Sequence, residues 1–229
     1  MRISGFQKMT MLDFPGRVAA TVFLHGCNLR CPFCHNARLV GRAQEETIDE
    51  SEFFSYLEKR KGILDGVCIT GGEPLMQDGV TEIIRKIKET GLAVKLDTNG
   101  FYPQKLKALV NEGLIDYVAM DIKNSPTLYP ATCGIEALKI SAAEESKEFL
   151  LSGVVDYEFR TTVVRELHTL ISIKEAAEWI AGAKRYFLQK FVDSGDILSS
   201  GMSAHSDEFM KQAQDIASQF VEKVELRGM

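Results

Sequence analysis

Nothing in this sequence suits a membrane. No stretch approaches the run of about 18 apolar residues that a spanning helix needs, and the opening MRISGFQKMTMLDFPGR has no apolar core of roughly 7–15 residues with a cleavage site behind it. The expected setting is the cytoplasm, where thiols stay reduced and cysteines are ligands or catalysts more often than disulfides. A basic excess is also missing. With 27 Lys and Arg against 32 Asp and Glu the formal net charge is −5, the wrong sign for the footprint of a nucleic-acid binder, so no nucleic acid and no membrane are expected as partners. No fixed-period repeat and no low-complexity tract divides the 229 residues, and one domain over 1–229 is expected. Cysteine is scarce, at five, and an odd count fits poorly with a disulfide framework. None is needed as a staple, because a chain of this length buries about 70% of its unfolded surface on folding.

What is present is an alternation of strand-like and helix-like stretches. The apolar, β-branched segments at Arg17–Gly26, Gly66–Gly72, 92–100, Asp116–Lys123, Val155–Val164 and Lys184–Phe191 read as buried strands. Between them, Thr47–Gly62 reads as a helix capped by Thr47 or Asp49. Gly79–Gly91 reads as a helix with Ile83, Ile84 and Ile87 on one face, and 102–113 as a helix with Pro103 in its first turn. Further helices are expected over Ile135–Ser152, Ser172–Ala183 and Asp207–Phe220, with a short terminal strand at Lys223–Gly228. Six strand–helix units predict parallel strands with right-handed crossovers. Six are too few to close an eight-fold barrel, so the candidates are an open partial barrel or a doubly wound sheet. In both, chemistry collects where strands end.

The strand ends carry polar and glycine-rich signatures: TGGEPL (70–75), DTNG (97–100), MDIKNSP (120–126), Arg160 within FRTTVV, and Gln189 with Lys190 in FLQKF. The first strand runs into HGCNLRCPFCHN, which holds Cys27, Cys31 and Cys34. Four readings of the three cysteines compete. Buried thiols fit badly with the Asn, Arg and Pro between them. Zinc can take Cys27, Cys31, Cys34 and His35, although structural zinc sites usually draw on two separated pairs and Cys34 adjoins His35. CPFCH matches the attachment motif of c-type haem, but leaves Cys27 unused and lacks an export signal. An iron–sulfur cluster takes cysteine thiolates. The loop offers three at C-x3-C-x2-C spacing, which leaves one iron open for a further ligand, as a catalytic metal requires. Cys68, within a strand, and Cys133, in a distant loop, read as packing residues.

CNLRCPFC, with Phe33 before its last cysteine, resembles the signature of the radical S-adenosylmethionine (radical SAM) superfamily, and TGGEPL, DTNG, MDIK and FRTTVV follow in the order that superfamily places them. The opening 36 residues look like those of the glycyl-radical-enzyme activating proteins. AKRYFLQKF and VELRG make the chain most similar to the activator of anaerobic ribonucleoside-triphosphate reductase. The resemblance implies an α/β fold, an open partial (βα)6 barrel of parallel strands. It implies a 4Fe–4S cluster on Cys27, Cys31 and Cys34, and S-adenosylmethionine on the open iron.

The implied cofactor-binding set is Phe33, His35, Gly71, Gly72, Glu73, Asp97, Asn99, Asp121, Lys123, Arg160 and Gln189. Gly71 and Gly72 allow a close backbone approach, Glu73 accepts from the cofactor's ammonium, and Lys123 or Arg160 pairs with its carboxylate. Arg160 sits in an apolar strand, where a charge is costly unless paired. By likeness to pyruvate formate-lyase activators, Asp97, Thr98, Met120 and Asp121 form a monovalent-cation site; the plain alternative for DTNG is an Asx turn. Gln189 stands where some activators carry a histidine. The implied partners are a glycyl-radical enzyme, with anaerobic ribonucleotide reductase first, and an electron donor of the flavodoxin or ferredoxin type. The alternatives are an activator of a pyruvate formate-lyase-type enzyme, a small-molecule enzyme such as a deazapurine synthase, and a non-catalytic electron-transfer or structural metal module. The lack of a cysteine-rich insertion predicts no second cluster.

Overall fold

In a computed structural model, residues 3–41 and 47–229 are described. In chain order the elements are β1 (Ile3–Thr10), β2 (Ala19–Leu24), α1 (Ala37–Val40), α2 (Glu50–Lys59), β3 (Gly66–Gly71), a 3-10 turn (Pro74–Met76), α3 (Val80–Glu89), β4 (Ala93–Thr98), α4 (Pro103–Asn111), β5 (Tyr117–Asp121), α5 (Tyr129–Thr132), α6 (Ser141–Leu151), β6 (Asp156–Val163), α7 (Leu170–Trp179), β7 (Arg185–Lys190), α8 (Asp207–Ala217) and β8 (Lys223–Arg227). The strands follow one another in the sheet in sequence order, β1 to β8. β2 with β3, β3 with β4, β6 with β7 and β7 with β8 pair parallel. This is the α/β class and the open, parallel six-unit plan expected from the sequence, extended at both ends of the strand order. No helix of the described residues is long and apolar enough to cross a membrane.

The extensions differ in how well the sequence announces them. β8 falls where the terminal strand was expected. β1 was not expected: it runs antiparallel to β2, with register shifts between Ile3 and Gly5 and between Gln7 and Thr10. Only its first and last residues are buried, so the two-residue alternation that marks a strand never develops.

Helix boundaries follow local chemistry. Asp49, one of the two expected caps, accepts from the Ser51 amide at 2.8 Å and starts α2. Thr169 and Ser172 form a reciprocal capping box that starts α7 ahead of the expected Ser172. The helix expected over Ile135–Ser152 contracts to α6, leaving Leu138 outside it. A further short helix, α5, precedes it and closes at Gly134, whose φ of +68° suits glycine.

The chain forms two compact units. The first comprises Met1–Asn28, Arg38–Thr98 and Tyr102–Val118; the second comprises Leu29–Ala37, Asn99–Phe101 and Ala119–Met229. In the first, Ile83, Ile84 and Ile87 of α3 are buried, as are Val67 and Ile69 of β3 and Val94 and Leu96 of β4. The core of the second includes Tyr129, Phe159, Tyr186, Leu188 and Met210. Each such side chain contributes roughly 1.5–3 kcal/mol by leaving water. The buried Tyr186 hydroxyl is satisfied by Thr161 at 2.6 Å.

Candidate functional site

Cys27 belongs to the first unit, and Cys31 and Cys34 to the second. None of the three is in a disulfide.

In the first unit the ends of β2 and β3 are brought together by glycine. Gly71 has φ +122°, and a Cβ there would lie 2.3 Å from both the amide nitrogen and the carbonyl oxygen of Leu24. A Cβ on Gly72 would lie 2.0 Å from the Gly26 oxygen. Real side chains do not reach such distances, so only glycine fits at either position. The close approach expected at these glycines is thus made by one strand end to another. It carries the ladder beyond the strands: the Gly72 amide donates to Leu24 O at 2.9 Å, and the Glu73 amide donates to Gly26 O at 2.8 Å. The backbone immediately before Cys27 is thereby fixed.

Glu73 is fully buried. Its Oε1 accepts from the Leu75 amide at 3.1 Å, capping the 3-10 turn, and from the Thr98 hydroxyl at 2.8 Å. Thr98, expected as a cation ligand, here serves the carboxylate. Asp97 pairs with the buried ammonium of Lys95, which also lies 3.7 Å from the Cys68 sulfur. Cys68 is buried, as expected.

Tyr102 was read only as the start of a helix. Burial pushes its phenol up, and negative charge on Glu73 and Cys27 adds to the effect, so it faces the same ground as both. Its place just after DTNG was the available signal. His25 is buried, with Nε2 at 3.2 Å from Gly41 O. A carbonyl only accepts, so Nε2 carries the hydrogen and Nδ1 is left as a buried acceptor without a hydrogen-bond partner among the described residues.

The second unit is built on ion pairs. Asp121, at the end of β5, receives the Lys123 ammonium at 2.8 Å through Oδ2, and the Arg160 guanidinium at 3.0 Å through Oδ1. The charge on Arg160 in its apolar strand is therefore paired, as its burial requires. Lys123 and Arg160, one or other of which was expected to meet a cofactor carboxylate, both meet an internal one. Burial works against the charge on Lys123, yet Asp121 and the neighbouring Cys31 outweigh it and hold the ammonium well above the ordinary lysine range.

The thiols feel the same surroundings. The Cys31 thiol is drawn down to about 7, first by a hydrogen bond with the Cys133 thiol, against burial, with the Lys123 charge adding to the fall. Burial pushes Cys34 up. Cys133 is fully buried, as a packing residue would be, but its carbonyl accepts from the Arg30 amide at 3.0 Å, beside Cys31; nothing in its spacing from the other cysteines signalled this.

Phe33 is buried. Burial lowers His35, whose ring centre lies 5.3 Å from that of Phe191. The Asn99 side chain accepts from the Phe101 amide at 3.1 Å, making the Asx turn that DTNG also suggested. The Met120 side chain lies against Gly100, where an added Cβ would fall 2.2 Å from its Cε. Gln189 is half-buried on β7, in register with Thr162 and Arg227. The stretch after β7 is tied to the cysteine loop by the Ser199 amide, which donates to Pro32 O at 3.0 Å.

Among the described residues no three His, Cys, Asp or Glu side chains stand together as a ready metal site. The fit of a cluster to this loop rests on donor chemistry. Three cysteines are free of disulfides, and one of them is held near neutrality beside a buried ammonium. That suits thiolate-bound iron.

Residues 21–141 match the model of the radical SAM superfamily. A Methanocaldococcus jannaschii protein named as a glycyl-radical enzyme activating enzyme is 31% identical over 98% of this chain and 95% of its own length. The pyruvate formate-lyase-activating enzyme of Clostridium pasteurianum is 31% identical over 54% of this chain and 52% of its own. A solved domain of a pyruvate-formate lyase-activating enzyme from Bacteroides vulgatus, 17% identical, covers 71% of this chain and 99% of that one with a TM-score of 0.58, and so shares the fold. With half of the chain under the superfamily model and nearly all of it matched by one such relative, the protein belongs to the radical SAM superfamily and, within it, to the glycyl-radical-enzyme activating family.

Proposed function

We propose that the protein generates a glycyl radical on anaerobic ribonucleoside-triphosphate reductase. The observation that carries the activating role is the likeness to a glycyl-radical enzyme activating enzyme over 98% of the chain. The choice of reductase is supported by the sequence at both ends, MRISGFQKMTMLDFPGR and AKRYFLQKF with VELRG. Membership of the superfamily implies a 4Fe–4S cluster and S-adenosylmethionine. When bound, the pair supplies reductive cleavage to methionine and a 5′-deoxyadenosyl radical, which takes a hydrogen atom from the target glycine.

In this reading Cys27, Cys31 and Cys34 hold the cluster. The glycine-locked ends of β2 and β3 fix the backbone leading into Cys27. Glu73 offers its carboxylate to the cofactor's ammonium from a geometry set by Leu75 and Thr98. The Asp121–Lys123–Arg160 group holds positive charge in place beside Cys31 and meets the cofactor's carboxylate with one of its two cations. The Asp97, Thr98 and Asp121 side chains, expected with Met120 at a monovalent cation, also have protein partners, and Met120 lies against Gly100. The electron comes from a donor of the flavodoxin or ferredoxin type.

The test is anaerobic. The reconstituted, reduced protein is expected to cleave S-adenosylmethionine, and adding the reductase from the same cell is expected to give a glycyl doublet in the electron paramagnetic resonance spectrum. Deuterium from the target glycine is expected in the 5′-deoxyadenosine, and Cys31→Ala should give neither product. The Clostridium likeness favours a second reading, a formate-lyase-type target. A doublet on that partner alone would move the assignment there. No cleavage by a protein holding a full, reducible cluster ends both readings.

A further inference from the structure

We propose that Lys95 is a positioning residue for Asp97: its ammonium, held by the chain itself, supplies the positive charge that a monovalent cation would bring there, so that cofactor binding needs no added potassium or sodium. The inference rests on the reading of Asp97 as part of the S-adenosylmethionine site.

The placement begins in the sheet. Residues two apart on a strand share a face. Val94 and Leu96 of β4 stand in register with Val67 and Ile69 of β3, and all four are buried. The opposite face carries Lys95 and Asp97, with Cys68 in register beside Lys95. A lysine on that face is 2% exposed. Such burial is rare for lysine and costly unless the charge is paired. Here it is paired: the ammonium donates to Asp97 Oδ1, and the Cys68 sulfur lies 3.7 Å from it on the neighbouring strand. The Asp97 side chain is 15% exposed, so salt in solution screens the pair weakly. All of these residues belong to the first unit.

A monovalent cation was expected to take Asp97 and Thr98 from this unit, and neither side chain fits it. An ion on the Asp97 carboxylate would stand close to a buried charge of its own sign. At about 4 Å and an effective dielectric constant near 20, that repulsion weakens its binding by at least roughly a hundredfold. The Thr98 hydroxyl is buried and donates to Glu73 at 2.8 Å. The carboxylate already has its counter-charge, fixed in place by the strand that carries both residues. If Lys95 served only to fill space, an uncharged side chain of similar length would do as well, and potassium would matter to neither protein.

The experiment measures S-adenosylmethionine binding to the reconstituted protein by calorimetry, in N-methylglucamine chloride and with potassium chloride in its place at equal ionic strength, for wild type, Lys95→Met and Lys95→Arg. Wild type is expected to change by less than about twofold between the two salts, and Lys95→Arg, which keeps the charge, likewise. Lys95→Met is expected to bind at least about tenfold more weakly without potassium and to recover most of the loss with it. Thermal unfolding of the same full-length chains without cluster gives a second readout. Potassium should raise the midpoint of Lys95→Met alone, because an ion that binds only the folded state stabilises it. A larger potassium dependence in wild type would show an ion bound in spite of Lys95 and overturn the proposal. A Lys95→Met that binds as wild type does in both salts, or whose loss potassium repairs in neither affinity nor midpoint, would make Lys95 a packing residue and overturn it too. Should Lys95→Met not fold, wild type and Lys95→Arg carry the test, and potassium dependence in either overturns the proposal. A wild type that holds a full cluster and binds no S-adenosylmethionine would instead overturn the cofactor reading beneath it, and this inference with it.

Discussion

The ends of β3 and β4, and the end of β5 beside the middle of β6, hold polar side chains by different means. At Glu73 the named partners are neutral, the Leu75 amide and the Thr98 hydroxyl, and the geometry comes from glycines that let one backbone touch another. At Asp121 the partners are two cations, and the geometry comes from opposite charge. The first arrangement should resist changes of charge and fail on any added atom. The second should tolerate small changes of shape and fail when a charge is removed.

The largest effect should come from adding one carbon. Gly72→Ala and Gly71→Ala are expected to lose at least about 3 kcal/mol in urea unfolding of the metal-free protein, because the new Cβ meets backbone rather than a flexible side chain. Gly153→Ala is the control. Its φ is +75° but nothing lies within 4 Å of the added atom, so it should lose only about 1 kcal/mol. Equal losses at 72 and 153 would mean that close strand contact does not organise the first site.

Changing an oxygen to an amide at each carboxylate sharpens the contrast. Asp121→Asn leaves Lys123 and Arg160 without their shared partner and should lose about 2 kcal/mol. That is less than the ~3–5 kcal/mol of a fully buried pair, because Asp121 is 31% exposed. Glu73→Gln keeps an acceptor oxygen for Leu75 and Thr98 and should lose about 1 kcal/mol or less. If Glu73 receives the cofactor's ammonium, the same variant should weaken S-adenosylmethionine binding roughly 10–150-fold in calorimetry while holding full iron. Unchanged affinity would leave Glu73 as the cap of the 3-10 turn and nothing more.

A gradual effect, spread over pH, is expected in the second unit. The His168 Nε2–H donates to Lys123 O at 2.9 Å, and Nδ1 accepts from the Val164 amide at 3.1 Å. Burial holds its folded pKa below the ordinary value, with the charge on His205 helping. Below about pH 6.5 the unfolded chain therefore binds a proton that the folded chain does not. Stability from this group is complete above that pH and drains away as pH falls towards the folded value, by up to about 1.4 kcal/mol per pH unit. Unfolding midpoints from pH 7.5 to 5.5 should show this slope in wild type and a flatter one in His168→Gln.

Much of this was legible in the sequence. The six parallel strands announce themselves because both faces are buried and the apolar runs are continuous. The cysteine loop, GGE and Arg160 stand out because each breaks the chemistry of its surroundings. β1 was hidden by its exposed middle. The end of α5 turned on one glycine conformation that composition alone does not reveal. Lys95 and Cys133 were hidden for a different reason: their meaning lies in a neighbour distant in sequence, Cys68 for one and Cys31 for the other. Periodicity reports which way a side chain faces, not what it meets.

The clamp between Arg30 and Cys133 has a consequence for the order of assembly. The cysteine loop lies near the start of the chain, yet its backbone is held by residues about a hundred positions downstream, and by Ser199 further still. Contacts of such long range form late, after their loop-closure entropy has been met. If Cys27, Cys31 and Cys34 hold the cluster, a nascent chain that has exposed only these residues has the ligands without their mould. Iron loading would then be a step for the completed protein, and truncation before Cys133 would remove the mould while sparing every thiol of the motif.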